Sequence, residues 1–92
     1  IREPKFIECI KGKEIYKEQP FKVKNELKQM DLFCFNEREI CVIDYKTTDK
    51  NIEENKKQVK EYKDALAKFY EKHSIIAVIF YALEGKISYI EV

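Results

Sequence analysis

The chain has 92 residues, 45% hydrophobic and 13% aromatic, enough for one domain with a modest core and no more. Lys and Arg total 18 against 17 Asp and Glu; the net charge of +1 rules out an acidic solvating tail and argues against nucleic-acid binding by bulk electrostatics, so an anionic partner has to be met by local charge. Two Gly and two Pro exclude collagen-like or linker character, no apolar run nears the ~18 residues that span a bilayer, and no signal-peptide pattern is present.

Ile1 opens the chain without an initiator Met, which reads as a piece of something longer. Pro4 to Ile10 suits a short helix stopped by Gly12. Glu14 to Val23 reads as a strand that Pro20 bulges or keeps at an edge. Lys24 to Lys28 is polar and reads as a turn. Met30 to Phe35 and Ile40 to Lys46 are strong strands joined by the turn Asn36-Glu37-Arg38-Glu39, and are expected to be antiparallel neighbours. Asn51, with Glu54 three residues on, has capping-box spacing. From there Ile52, Val59, Tyr62, Leu66, Phe69 and Tyr70 recur at helical spacing over about 20 residues. Lys68, Lys72 and His73 suit the negative pole of that helix, and His73 reads as a helix-end residue. Ile75 to Leu83 is a buried strand by its β-branched run, Glu84-Gly85 turns the chain, and Ile87 to Val92 alternates like a last strand. The expected fold is α/β: a mixed central sheet of four to five strands flanked by helices. Three Cys without CxxC spacing fit a reduced, intracellular compartment, with Cys34 and Cys41 as small apolar strand residues.

Of four Asp, two fall inside the most hydrophobic strands, Asp31 and Asp44. Asp is disfavoured in strands because its side chain competes for backbone hydrogen bonds and is costly to bury. Asp44 and Lys46 are two apart and share a strand face, with Ile43 and Tyr45 pointing the other way into the core. The plain reading of Asp44 and Lys46 is a surface ion pair. The chemical reading is a divalent-cation site, in which hard carboxylate oxygens hold Mg²⁺ and the lysine orients water or stabilises phosphate charge. On the long helix, Asn55 and Gln58 lie in or beside the apolar stripe, and Gln58 shares a face with Tyr62. Polar groups facing a sheet need buried partners. Six Lys against three Glu between Lys11 and Lys28 make that stretch the better candidate for phosphate contacts.

The run Met30-Asp31-Leu32-Phe33, then Val42-Ile43-Asp44-Tyr45-Lys46-Thr47, then Gln58 and Tyr62 as QxxxY, resembles the PD-(D/E)XK nuclease superfamily. More narrowly it is similar to the RecB/AddA-type nuclease domain at the end of bacterial helicase-nucleases, and Tyr16-Lys17-Glu18-Gln19-Pro20-Phe21 resembles the strand before that family's first metal Asp. The resemblance implies a restriction-endonuclease-like fold. It also implies that residues 1–92 are a single nuclease-domain fragment from the C-terminal part of a longer chain. It implies Asp31 and Asp44 as metal carboxylates, the Tyr45 backbone carbonyl as a further ligand, Lys46 positioning the attacking water, and Gln58 and Tyr62 lining the active site. The cofactor would be Mg²⁺ or Mn²⁺. The activity would be exonucleolytic phosphodiester hydrolysis in double-strand-break repair and recombination, in the bacterial cytoplasm. The partners would be DNA, an ATP-driven helicase portion of the same chain and a partner nuclease or helicase subunit, with no membrane.

Three departures stand beside this. The family's usual Gly in GxxD is Lys28 here. The first-motif His or Glu has no clear counterpart, Glu8 and Glu18 being the available acids, so the 92 residues alone are expected to cleave DNA poorly. Three scattered Cys cannot supply the four-Cys iron–sulfur cluster of some relatives. The alternatives are an inactive nuclease-fold module for DNA binding or subunit docking, and a stand-alone phage or restriction-type nuclease.

Overall fold

The structure, a computed structural model, describes residues 3–23 and 25–92. The elements run α1 (Pro4–Ile10), β1 (Glu14–Val23), β2 (Glu26–Phe35), β3 (Glu39–Lys46), α2 (Ile52–Phe69), β4 (Ser74–Leu83) and β5 (Lys86–Glu91). This is the expected order of helix, three strands, helix and two strands. The strands form one mixed sheet in the order β1-β2-β3-β4-β5. Only the β3–β4 pair is parallel, which is why those two strands need a helical crossover while the others are joined by short turns.

Local chemistry accounts for the boundaries. Glu3 caps α1 by accepting the Phe6 N–H at 2.9 Å, Pro4 occupies the first turn where its missing N–H costs nothing, and Gly12 at φ 68° turns the chain away. Asn51 precedes α2 but makes no side-chain cap bond, so the expected capping box does not form; Glu53 and Glu54 still complement the helix dipole. The polar stretch read as a turn from Lys24 to Lys28 is shorter than expected. Lys24 lies outside the described residues, and Glu26, Leu27 and Lys28 already pair with Val23, Lys22 and Phe21 of β1. Pro20 does lie on an edge strand. Beside it, Gln19 Nε2 donates to the Pro20 carbonyl at 3.3 Å, and Gln29 Nε2 reaches across from β2 to the Glu18 carbonyl at 3.2 Å.

β3 is the central strand, and both of its faces are covered: every residue from Ile40 to Asp44 is buried. On one face α2 packs Val59, Tyr62 and Leu66 onto Met30, Ile40, Val42, Ala77, Ile79 and Tyr81. On the other, Cys9 of α1 joins Leu32, Cys34, Cys41, Ile43, Val78 and Phe80. Cys34 and Cys41 are indeed apolar strand residues, buried and free. The expectation that Asp44 stands on a non-core face is corrected here. Ile43 and Tyr45 do point to the α1 side, but α2 makes the Asp44 side of the strand a core face as well.

Phe69 also departs from its place in the apolar stripe, being 79% exposed. α2 lies over β3 and β4, and its last turn overhangs an open apolar groove of about 580 Å³ bordered by Tyr16, Phe21, Phe33 and Leu66. The pair Leu66 and Phe69 therefore separates packing from periodicity. Leu66→Ala is expected to cost about 2–5 kcal/mol in urea unfolding. Phe69→Ala is expected to stay within about 0.5 kcal/mol of the parent. Equal losses at the two positions would mean that the groove side of α2 is packed in solution.

Candidate active site

The β2–β3 ladder runs inward from the Asn36–Glu39 turn and stops at Leu32↔Ile43. One step further on each strand stand Asp31 and Asp44. On the other side of β2, Lys17 pairs with Leu32 and Gln19 with Met30, so Glu18 faces Asp31 but the two drop out of the ladder. Glu18 adopts φ 52°, a left-handed conformation that few side chains favour. Three acidic residues thus occupy one row across β1, β2 and β3. The place a ladder bond would take is filled by the Asp31 side chain, whose Oδ2 accepts the Tyr45 N–H at 2.7 Å.

Asp44 is 6% exposed, the one charged residue among those described that is buried when backbone and side chain are taken together. Its Oδ2 has no hydrogen-bond partner and lies 3.3 Å from the Lys46 ammonium in an ion pair. The expected Asp44–Lys46 pairing on one strand face is present, and it is a half-buried pair rather than a surface one. Burial, first, and the hydrogen-bonding Asp31 carboxyl, second, push the Asp44 carboxyl up to about 6, with Lys46 pulling the other way. Asp31 and Asp44 thus stand side by side on adjacent strands, one step beyond the last pair of the β2–β3 ladder.

α2 closes the site from above. Gln58 Nε2 donates to Tyr62 Oη at 3.1 Å, one helical turn along. The Tyr62 hydroxyl is raised above its ordinary value by burial and then by the negative charges of Asp44 and Asp31, with Gln58 opposing. Asp31, Asp44, Lys46, Gln58 and Tyr62 are thus brought into one neighbourhood. Phe21 leans on Tyr62 with ring centroids 6.1 Å apart.

Asp31 also borders an open cleft of about 800 Å³ on the α1 side, lined with Lys17, Glu18, Phe6 and Tyr45. Of the two acids considered for a first motif, Glu18 reaches this cleft, whereas Glu8 is exposed on α1 in an ion pair with Lys5. Lys28, three residues before Asp31, does not stand free: its ammonium lies 3.1 Å from Glu26. Among the described residues no three His, Cys, Asp or Glu side chains converge as a metal-holding group. His73 lies away from the acids, bonding the Asn36 carbonyl at 3.0 Å and stacking on Phe35.

A further polar pair escaped sequence reasoning. Tyr81 of β4 is the register partner of Lys46, and its hydroxyl accepts from Asn55 Nδ2 at 3.2 Å. The signal was Asn55 itself, a polar residue in the apolar stripe that had to find a partner on the sheet.

No family model, curated protein or solved structure matches this chain. No helix among the described residues is long and apolar enough to cross a membrane.

The raised Asp44 carboxyl has a sign that can be checked. The native state holds this proton more tightly than the unfolded chain does, so stability falls as pH rises from about 4 to about 6, and the full cost is present above that. The cost is on the order of 3 kcal/mol. Asp44→Asn removes the buried charge. It is expected to melt above the parent at pH 7.5, with the gap closing as pH is lowered toward 4. A variant that melts lower at pH 7.5 would show that the Lys46 ion pair outweighs the burial of Asp44.

Proposed function

We propose that this protein is a metal-dependent DNA nuclease module of the RecB/AddA type, with a restriction-endonuclease-like fold. It hydrolyses phosphodiester bonds in DNA, exonucleolytically, within a bacterial cytoplasmic helicase-nuclease of recombination and double-strand-break repair. The observation that carries this reading is the placement of Asp31 and Asp44 on adjacent strands at the point where β2 and β3 separate, with Lys46 at 3.3 Å from Asp44. Support also comes from the QxxxY pair above them, joined by its own hydrogen bond.

The donor set fits Mg²⁺ or Mn²⁺. Asp44 Oδ2 is buried and makes no hydrogen bond, with only the Lys46 ammonium beside it at 3.3 Å, an environment that a hard cation would complete. Asp31 spends one oxygen on the Tyr45 N–H, which fixes the carboxyl and leaves its other oxygen for a ligand. Asp31 and Asp44 would hold the ion, with the Tyr45 carbonyl as the remaining candidate. When bound, such a cation supplies Lewis-acid stabilisation of the negative charge that builds on the phosphoryl oxygens.

The chain's own groups divide the remaining work. Lys46 Nζ, partly open to solvent, donates to the attacking water and aligns it with phosphorus. Gln58 donates to Tyr62 Oη and so holds the buried Tyr62 hydroxyl in place, the half-buried Gln58 being the member of the pair open to a phosphate oxygen. Lys17, on the cleft that Asp31 borders, offers a phosphate contact that fixes the strand without reading bases. α2 and Phe21 exclude bulk water from the Asp44 side, which strengthens each of these interactions.

Asp44→Ala and Lys46→Ala in the parent protein are each expected to lower metal-dependent digestion of linear DNA by about 10²-fold or more, with ATP-driven unwinding retained. Mn²⁺ titration by calorimetry is expected to lose its binding isotherm in Asp31→Ala and Asp44→Ala and to keep it in Lys46→Ala. Full digestion by Lys46→Ala would reduce the lysine to a structural counter-ion and sink the mechanism.

A further inference from the structure

Three thiols lie buried on the α1 side of the sheet: Cys9 in α1, Cys34 in β2 and Cys41 in β3. Cys34 and Cys41 are direct cross-strand partners. Cys9 is brought above them by Lys13, whose side chain is 4% exposed. Its ammonium holds the Cys9 carbonyl at 2.9 Å and the Glu39 carboxylate at 3.3 Å. Glu39 and Cys41 are two apart on β3 and share a face, so this strap sets α1 over Cys41. Cys9 and Cys41 pack in the same buried cluster, and each perturbs the other's thiol, Cys41 drawing Cys9 down and Cys9 pushing Cys41 up.

We propose that Cys9 and Cys41 form a modification site: an oxidisable thiol pair that a hydroperoxide converts to a disulfide, fastening α1 to the strand that carries Asp44 and Lys46. The inference is independent of the nuclease reading.

Geometry selects this pair over Cys34–Cys41. Directly opposed strand residues hold their Cβ atoms about 4.5–5.5 Å apart. A disulfide needs about 3.8 Å, and the hydrogen-bonded ladder on both sides resists that closure. α1 has only seven residues, too few to be stable alone, and it is held to the sheet by contacts such as Lys5–Glu91 at 2.7 Å. Opening of so short a helix from the sheet costs less than breaking the strand ladder, and such opening would admit the oxidant to Cys9.

Chemistry selects Cys9 as the attacking sulfur. The contact with Cys41 and the charges of Lys5 and Lys13 draw its thiol below the ordinary value, while burial pushes Cys34 up to about 11 and Cys41 is raised, first by its contact with Cys9. The thiolate is the reactive form. The Cys9 thiolate attacks the peroxide O–O bond, giving a sulfenic acid and, after proton transfer, one water. The Cys41 sulfur then displaces the sulfenic hydroxyl, which leaves as a second water with the Cys41 proton. Two thiols are oxidised by two electrons, and one hydrogen peroxide is reduced to two waters.

The sequence makes the test direct, because trypsin places the three Cys in separate peptides: 6–11, 29–38 and 39–46. The purified protein is exposed to hydrogen peroxide, alkylated under denaturing conditions and mapped without reduction. The expected product is peptide 6–11 joined to 39–46, lost after treatment with a dithiol, with the oxidised protein melting above the reduced one. Cys34→Ser is expected to keep the link and Cys9→Ser to lack it. The wild-type map needs no substitution, so it decides the matter even if a serine variant fails to fold. A link between 29–38 and 39–46, three fully alkylated thiols, Cys9 over-oxidised without a link, or an unchanged melt would each overturn the proposal.

Discussion

A strand ladder that gives up one of its bonds organises this molecule. β2 and β3 pair from the turn inward as far as Leu32↔Ile43. There the Asp31 carboxylate, not a carbonyl, receives the next amide, that of Tyr45. A side chain doing the work of backbone leaves the two strands free to part without orphaning a buried N–H. The parting in turn makes room for a second carboxyl from β3, and Glu18 adopts its left-handed conformation in the same row. Without the Asp31–Tyr45 bond, either the ladder would continue and occupy the space, or an unsatisfied amide would cost about 1–3 kcal/mol.

The rest of the fold is arranged to tolerate what that opening contains. Asp44 brings a charge into a position walled by α2 on one side and by the sheet beneath. Lys46 is the nearest compensation, and it is only partly withdrawn from solvent. A fold that wanted stability alone would place an apolar residue at 44, since replacing buried ionic groups by well-packed hydrophobic ones is commonly neutral or favourable. The stable parts lie elsewhere: β3 and β4, buried along most of their lengths, and the Val59, Tyr62 and Leu66 edge of α2. They form the base, and Gln58 and Asn55 of the same helix are tied to Tyr62 and Tyr81.

Most of the architecture was legible because local signals and burial agree. Aromatic and β-branched runs separated by Asn36–Glu39 and Glu84-Gly85 leave little freedom, and α2 announces itself through a single apolar stripe. The failures at Phe69 and Asp44 share a cause, which is that periodicity reports a face without reporting what covers it. Phe69 fits the stripe yet extends past the sheet it should meet, and Asp44 looks solvent-facing until α2 is laid across it. In the site, the spacing of Asp44 and Lys46 and of Gln58 and Tyr62 could be read directly, since each pair lies within one element. The placement of Asp31 beside Asp44 depends on hairpin register. The tie from Asn55 to Tyr81 depends on a parallel crossover, which no local pattern encodes.

The two glutamine contacts on the outer hairpin bear on how copies of this chain behave in solution. β1 ends the sheet, and a bare edge of that length is a template on which a foreign strand can grow. Along this one, Pro20 offers no amide, and its carbonyl is taken by the Gln19 side chain. Two residues earlier the Glu18 carbonyl is taken by Gln29, and the backbone is turned into a left-handed kink. The middle of the edge strand therefore lacks a regular run of free backbone groups. Lys17 and Lys22 add like charge on either side of that stretch. The same distortion that opens the acidic row thus also makes β1 a poorer template for a foreign strand than a regular edge would be.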